Sequence, residues 1–174
     1  MSLRNLINQD RRVRRLQRML RNGDYNVNTA AFRRELQATH STRLTRRLTV
    51  KDVLVRFQTR FLRAVLQNQA NRSRFVEIKI TCFDTHARLD QHLTKLRQYL
   101  MLTYGEQLRR AASTVEERRN VINSCLSAAV ELQQEIETVI KIADMVVADI
   151  DQTGWAIRNI ITAMELIQER GKQL

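Results

Sequence analysis

Arg11, Arg12, Arg14, Arg15, Arg18 and Arg21 crowd one short segment, and Arg33, Arg34, Arg43, Arg46 and Arg47 follow before residue 48. A guanidinium is planar, permanently charged and forked, so it pairs with phosphate or carboxylate oxygens through two hydrogen bonds at once. Of the 30 basic residues 25 are Arg and 5 are Lys. A GC-rich genome would raise Arg as well, but without selection at any one site. The distribution is uneven: residues 1–74 hold 18 Lys+Arg against 4 Asp+Glu, a balance of +14, while residues 75–174 hold 12 against 14, a balance of −2. Each phosphate such a segment neutralises releases counterions and strengthens binding at low salt. Nucleic acid is therefore the leading partner for these eleven arginines, with an acidic protein or a membrane surface as the alternatives. Single-strand readers stack bases on exposed aromatic rings. Here Phe57 and Phe61 fall on an apolar stripe and Tyr25 alone reads as free, so the expected contact follows the backbone with little sequence preference.

Other chemistries find less support. Cys82 and His86 lie one helical turn apart, with His92 and Cys125 able to approach if two helices pack antiparallel, and zinc takes such ligands. No Cys-x-x-Cys pair accompanies them, and both cysteines sit on apolar rows where a free thiol is usually a small core residue. No metal and no cofactor are expected, and His86 reads as a core or helix-contact histidine. The sequence has no Gly-rich phosphate loop, no HExxH and no Gly-x-Ser-x-Gly. Glu131, Glu135, Asp144, Asp149 and Asp151 fall mostly off the apolar seam, as solvated helix faces do. The expectation is a protein without enzymatic activity.

These side chains need elements to hold them, and composition restricts which. There is no Pro and there are 4 Gly, where ordinary usage gives roughly 9 and 12. Turns and strand ends are scarce, and long helices follow. Hydrophobic content of 43% suffices for a core. The stretch Val139 to Ile150 is interrupted by Lys141, Asp144 and Asp149 and is too short to span a bilayer. Two cysteines without a secretory signal point to a reducing, intracellular setting. An Arg-rich amphipathic start also suits an organellar presequence or a surface-lying helix, but Asp10 and the continuation of Arg to residue 74 fit that poorly.

The clearest pattern lies in the C-terminal third. Ile122, Cys125, Ala129, Leu132, Ile136, Val139, Ala143, Val146, Ile150, Thr153, Ile157, Ile160, Met164 and Ile167 step by three and four, the period of a coiled coil or long bundle helix. Leu126, Ile140, Val147 and Ile161 widen that stripe. Ser113 with Glu116, or Thr114 with Glu117, has capping-box spacing, which predicts one helix over about 114–170 running through Gly154. Phe75, Ile78, Cys82, His86, Leu89, Leu93, Leu96 and Leu100 predict a second helix over 75–104, although Val76 to Cys82 also alternates as a strand would. Val50, Leu54, Phe57, Phe61 and Val65 form a further stripe capped by Thr49 and Asp52. The interruption at Asn68 to Arg74 leaves open whether these two stripes are one helix or two. Tyr104-Gly105, with the polar stretch to Ser113, reads as the turn between the long helices, with Gly as a left-handed cap.

At the start, Leu3, Leu6, Val13, Leu16 and Leu20 mark one face of a short helix. Asn22 to Asn26 is a turn, Asn28 caps a helix over Ala30 to Ala38, and His40 to Leu48 reads as an exposed connector. The expected fold is all-α, an elongated helical hairpin or bundle with a long C-terminal coiled-coil-like helix. Residues 1–48 form an Arg-rich helical region and 49–174 the bundle. Ile136, Val139, Val146, Ile150, Trp155, Ile157 and Ile160 are the candidate partner interface, through which a homo- or hetero-oligomer would form. The function so read is a structural or assembly subunit contacting nucleic acid, as in a nucleoprotein or virion component. The alternative is a helical adaptor, chaperone or tethering subunit whose basic end docks on an acidic protein or membrane surface.

Overall fold

The computed structural model describes residues 2–45 and 57–171, without the side chains at 43–45, 57–62, 164 and 167–171. Among the described residues every regular element is a helix: α1 Leu3–Gln9, α2 Arg11–Asn22, α3 Thr29–Thr45, α4 Phe57–Thr103, α5 Gly105–Ala111, α6 Val115–Cys125 and α7 Ser127–Gly171. The all-α expectation holds. Val76 to Cys82 lies within α4, and so does the polar stretch 68–74, which makes one helix where two were open. No helix among the described residues is long and apolar enough to cross a membrane. The expected cap at Thr49 and Asp52, the stripe positions Val50 and Leu54, and Arg46 and Arg47 lie outside the described residues, as do the side chains of Arg43, Phe57, Phe61, Met164 and Ile167.

The chain forms two compact units, each from two separated stretches: Met1–Thr29 with Thr81–Val139, and Ala30–Ile80 with Ile140–Leu174. In the first unit Ile7, Val13, Leu16 and Tyr25 share a core with Leu89, Leu93, Leu96 and Leu100 of α4, Leu108 of α5 and Ile122 of α6. Each such side chain stabilises by about 1.5–3 kcal/mol when fully removed from water. The α4 seam departs from expectation at one step, since Thr85 is buried and His86 is half-buried. Thr85 Oγ1 donates to the Thr81 carbonyl at 3.0 Å, so its hydroxyl is satisfied by its own helix and can enter the core.

In the second unit Leu36, Phe75, Ile78, Ala143, Val146 and Ile150 are buried. Lys79 pairs with Asp144 at 2.6 Å and Arg72 with Asp151 at 2.7 Å. Seven residues back along α4 match seven forward along α7, so these stretches run antiparallel. Arg74 ties α4 to α3 through Glu35 at 3.0 Å. Pairs this exposed add little to stability, but they mark the register of the two helices.

Four local expectations need correction. The single N-terminal helix is two helices, broken at Asp10, whose backbone (φ −59°, ψ 135°) ends α1 and whose carboxylate caps α2. The connector expected from His40 is helical to Thr45 because α3 continues. The helix expected over 114–170 is divided at Leu126 (φ −108°, ψ 17°), and α7 then runs unbroken through Gly154. The turn after α4 also differs, for Gly105 opens α5 and the glycine with positive φ among the described residues is Gly23 at 80°. The irregular backbone falls at the far end of the expected stretch, extended at Ala112 and Thr114.

Of the two capping boxes, the chain uses Thr114 with Glu117. The Glu117 N–H donates to Thr114 Oγ1 at 3.1 Å, and the Thr114 N–H returns to Glu117 Oε2 at 3.0 Å. These bonds hold the Glu117 carboxyl below the usual carboxylate range, with the Thr114 N–H the largest cause. Thr114→Ala should therefore cost about 1 kcal/mol in urea unfolding. Ser113→Ala, which loses only an exposed hydroxyl bond, should cost less; equal costs would place the cap elsewhere.

Candidate functional site

Helix α2 buries Val13 and Leu16 and half-buries Met19 and Leu20. At about 100° per residue, Arg11, Arg14, Arg15, Arg18 and Arg21 occupy the opposite arc, and all five are exposed. From Arg11 to Arg21 the helix rises roughly 15 Å, comparable with about four phosphates of one DNA strand at ~3.4 Å each. Arg12 stands on the flank, its guanidinium 3.9 Å from the centroid of the Tyr99 ring, a cation–π contact that fixes its direction.

Both ends of α2 are clamped to the core of the first unit. At the start, Asp10 Oδ1 accepts from the Arg12 N–H at 2.7 Å, while Oδ2 accepts from the Tyr99 hydroxyl at 3.2 Å and the Tyr104 hydroxyl at 3.1 Å. At the end, Gly23 turns left-handed and donates its N–H to the Leu20 and Met19 carbonyls, a geometry a Cβ would strain. Tyr25 then enters the core, its hydroxyl hydrogen-bonded to His92 Nδ1 and its ring edge-on to the imidazole at 5.9 Å between centroids. Tyr25 is only 4% exposed, which overturns its reading as a free aromatic and removes it as a base-stacking platform.

The arginine face is electrostatically costly by itself. No acid stands in the first turn of α2, where Arg11, Arg12 and Arg14 oppose the helix dipole. Like charges three and four residues apart repel by a few tenths of a kcal/mol per pair. Among the described residues no carboxylate forms an ion pair with any of the five. Arg33 and Arg34 stand elsewhere, in the second unit. Arg34 is exposed and donates to the Ala30 carbonyl at 3.3 Å, and Arg33 is half-buried on α3. Arg72 and Arg74, part of the +14 count, are engaged by Asp151 and Glu35.

The candidate interface residues divide in two. Ile136, Val139, Val146 and Ile150 are buried within the chain and present no surface to a partner, whereas Trp155 is 67% exposed and Ile157 and Ile160 are half-buried. Among the described residues no group of three or more His, Cys, Asp or Glu side chains could hold a metal ion. Burial pushes the Cys82 thiol up to about 11, the opposite of what a nucleophilic thiolate requires. The sign of its linkage is definite. The unfolded thiol ionises first, near pH 8.5, so stability is fully present below that pH and declines as pH rises toward about 11. Urea midpoints should fall over this range by the equivalent of about 3 kcal/mol, and Cys82→Val should flatten the decline; an unchanged slope would assign it to other groups.

The residues that sequence reasoning missed are those that position the arginines: Asp10, Tyr99, Tyr104 and His92. His92 and Tyr104 carried other readings, as a possible ligand and as part of a turn, and Asp10 stands as a charged residue in the seam slot between Leu6 and Val13. Comparison with known proteins finds no matching family model, no matching curated protein and no matching solved structure.

Proposed function

We propose that the protein is a non-enzymatic assembly subunit that lays the arginine face of α2 along the phosphate backbone of a nucleic acid, as a nucleoprotein or virion component does. One observation carries this reading. Five exposed arginines share one arc of a helix clamped at both ends, and no described carboxylate neutralises them. A solvated face would be expected to mix both signs of charge, because that lowers its own repulsion. With Tyr25 in the core, recognition rests on phosphate contact, and sequence preference should be weak.

The test is fluorescence anisotropy with duplex DNA, duplex RNA and polyglutamate as probes across a salt series. Log K should fall linearly with log salt, with a slope of about −0.9 per phosphate contact on DNA, and scrambled sequences should bind alike. Tighter binding of polyglutamate than of either duplex would move the reading to an adaptor docking on acidic protein. Absence of salt-sensitive binding to all three would end it.

A further inference from the structure

From Met145 onward the outward face of α7 in the second unit is uncharged among the described side chains, with the exposed Lys141 one turn before it. Stepping by three and four, every exposed position from Met145 through Ala148, Gln152, Trp155 and Asn159 to Leu166 lacks a charge. Met145 and Leu166 are each 54% exposed and Trp155 is 67% exposed. The flanking column is charged throughout, with Asp144, Asp151, Arg158 and Glu165 one heptad apart. On the other flank the half-buried Asp149 is followed one and two heptads on by Ala156 and Ala163, small enough to admit a second helix at close range.

We propose that this face binds the same face of a second copy, antiparallel about a two-fold axis near Trp155. The 3.5-residue step requires an occupant that is itself a heptad helix, and the missing charge requires one equally uncharged along the contact line. A second copy meets both conditions. The flanking charges set the direction. A parallel pair would set this charged column against the Ala156 and Ala163 flank and leave Arg158 without a partner, whereas an antiparallel pair brings the column against itself, Asp151 of each copy to Arg158 of the other, in an isologous interface. Arg158 has no ion pair among the described residues, and Asp151, although bonded to Arg72, keeps its side chain 47% exposed. Farther out, Glu165 would meet Asp144 beside Lys79, a like-charge contact that offsets part of the gain at Asp151 and Arg158. The inference rests on the assembly half of the function proposed above and moves its contact from the buried seam to the opposite side of the helix.

Trp155 is the chain's one tryptophan, so its emission reads the contact directly. Light-scattering mass and Trp emission should be recorded together from micromolar to submillimolar concentration, in salt high enough to exclude nucleic acid. A rise from monomer to dimer mass with a parallel blue shift is expected. Trp155→Ala should remain monomeric with unchanged circular dichroism, and Arg158→Glu should raise the dissociation constant about fivefold. A monomer at all concentrations overturns the proposal and opens the face to a different chain. A dimer that survives both substitutions with unshifted emission also overturns it, while leaving self-assembly in place. Duplex binding by the α2 arginines is measured separately and does not depend on either result.

Discussion

Replacing Arg11, Arg14, Arg15 and Arg18 together by Gln should weaken duplex binding by about 10³-fold at ~50 mM salt and flatten the salt slope by about four, while making the protein more stable. The two effects have one cause. These side chains project from the arc of α2 opposite Val13 and Leu16, so no core contact is lost. Gln matches Arg in helix propensity. The substitutions remove repulsion between residues three and four apart and relieve two cations from the first turn, a gain of about 1 kcal/mol in all. A residue kept for folding would show the reverse, with lower stability and unaltered affinity. Circular dichroism melts beside anisotropy on the same samples separate the cases, and a destabilised variant with undiminished binding would remove α2 as the contact surface.

Asp10→Ala should be the most damaging single polar substitution in the first unit, at about 3 kcal/mol. It removes the N-cap, worth about 1 kcal/mol, and takes from Tyr99 and Tyr104 the charged acceptor of their hydroxyls, each such bond contributing about 1.5 kcal/mol or less in this part-buried setting. Asp10→Asn retains a capping oxygen and should lose about half as much. Binding distinguishes the roles further. On charge alone either substitution makes the α2 region more basic and should tighten duplex binding. If the clamp positions the arginines, Asp10→Asn should bind slightly tighter than the wild type and Asp10→Ala more weakly. Tighter binding by both variants would mean that the face needs no anchoring.

The seams of α4 and α7 were legible because burial on one side of a helix enforces its period whatever the neighbouring element is. The break at Leu126 was not, for the Leu126 N–H still reaches the Ile122 carbonyl at 3.2 Å and the Val130 N–H the Leu126 carbonyl at 3.1 Å, so the row of side chains keeps its phase across the irregular residue. At 85 and 86 two seam paths fit the spacing equally well. What decided between them was a hydroxyl that bonds its own helix, where an imidazole would need an outside partner. Seventy or more residues separate Asp10 from Tyr99 and Tyr104, and the local pattern carries no sign of such a meeting. The arginine face itself was legible, since a helical wheel needs only α2; its anchoring was not.

The first unit is discontinuous in sequence, and this governs when the arginine face can exist. Ile7, Val13, Leu16 and Tyr25 find their neighbours among Leu89 to Ala129, so during synthesis the N-terminal stretch leaves the ribosome long before the surface that will receive it. Until then the segment is a basic chain whose apolar side lacks a counterpart, and closing the intervening loop must precede any reward from the contact. A fragment ending before α4 would carry the arginines without their geometry. The arginine face is thus among the last parts of the first unit to take shape, which ties its appearance to completion of the core that holds it.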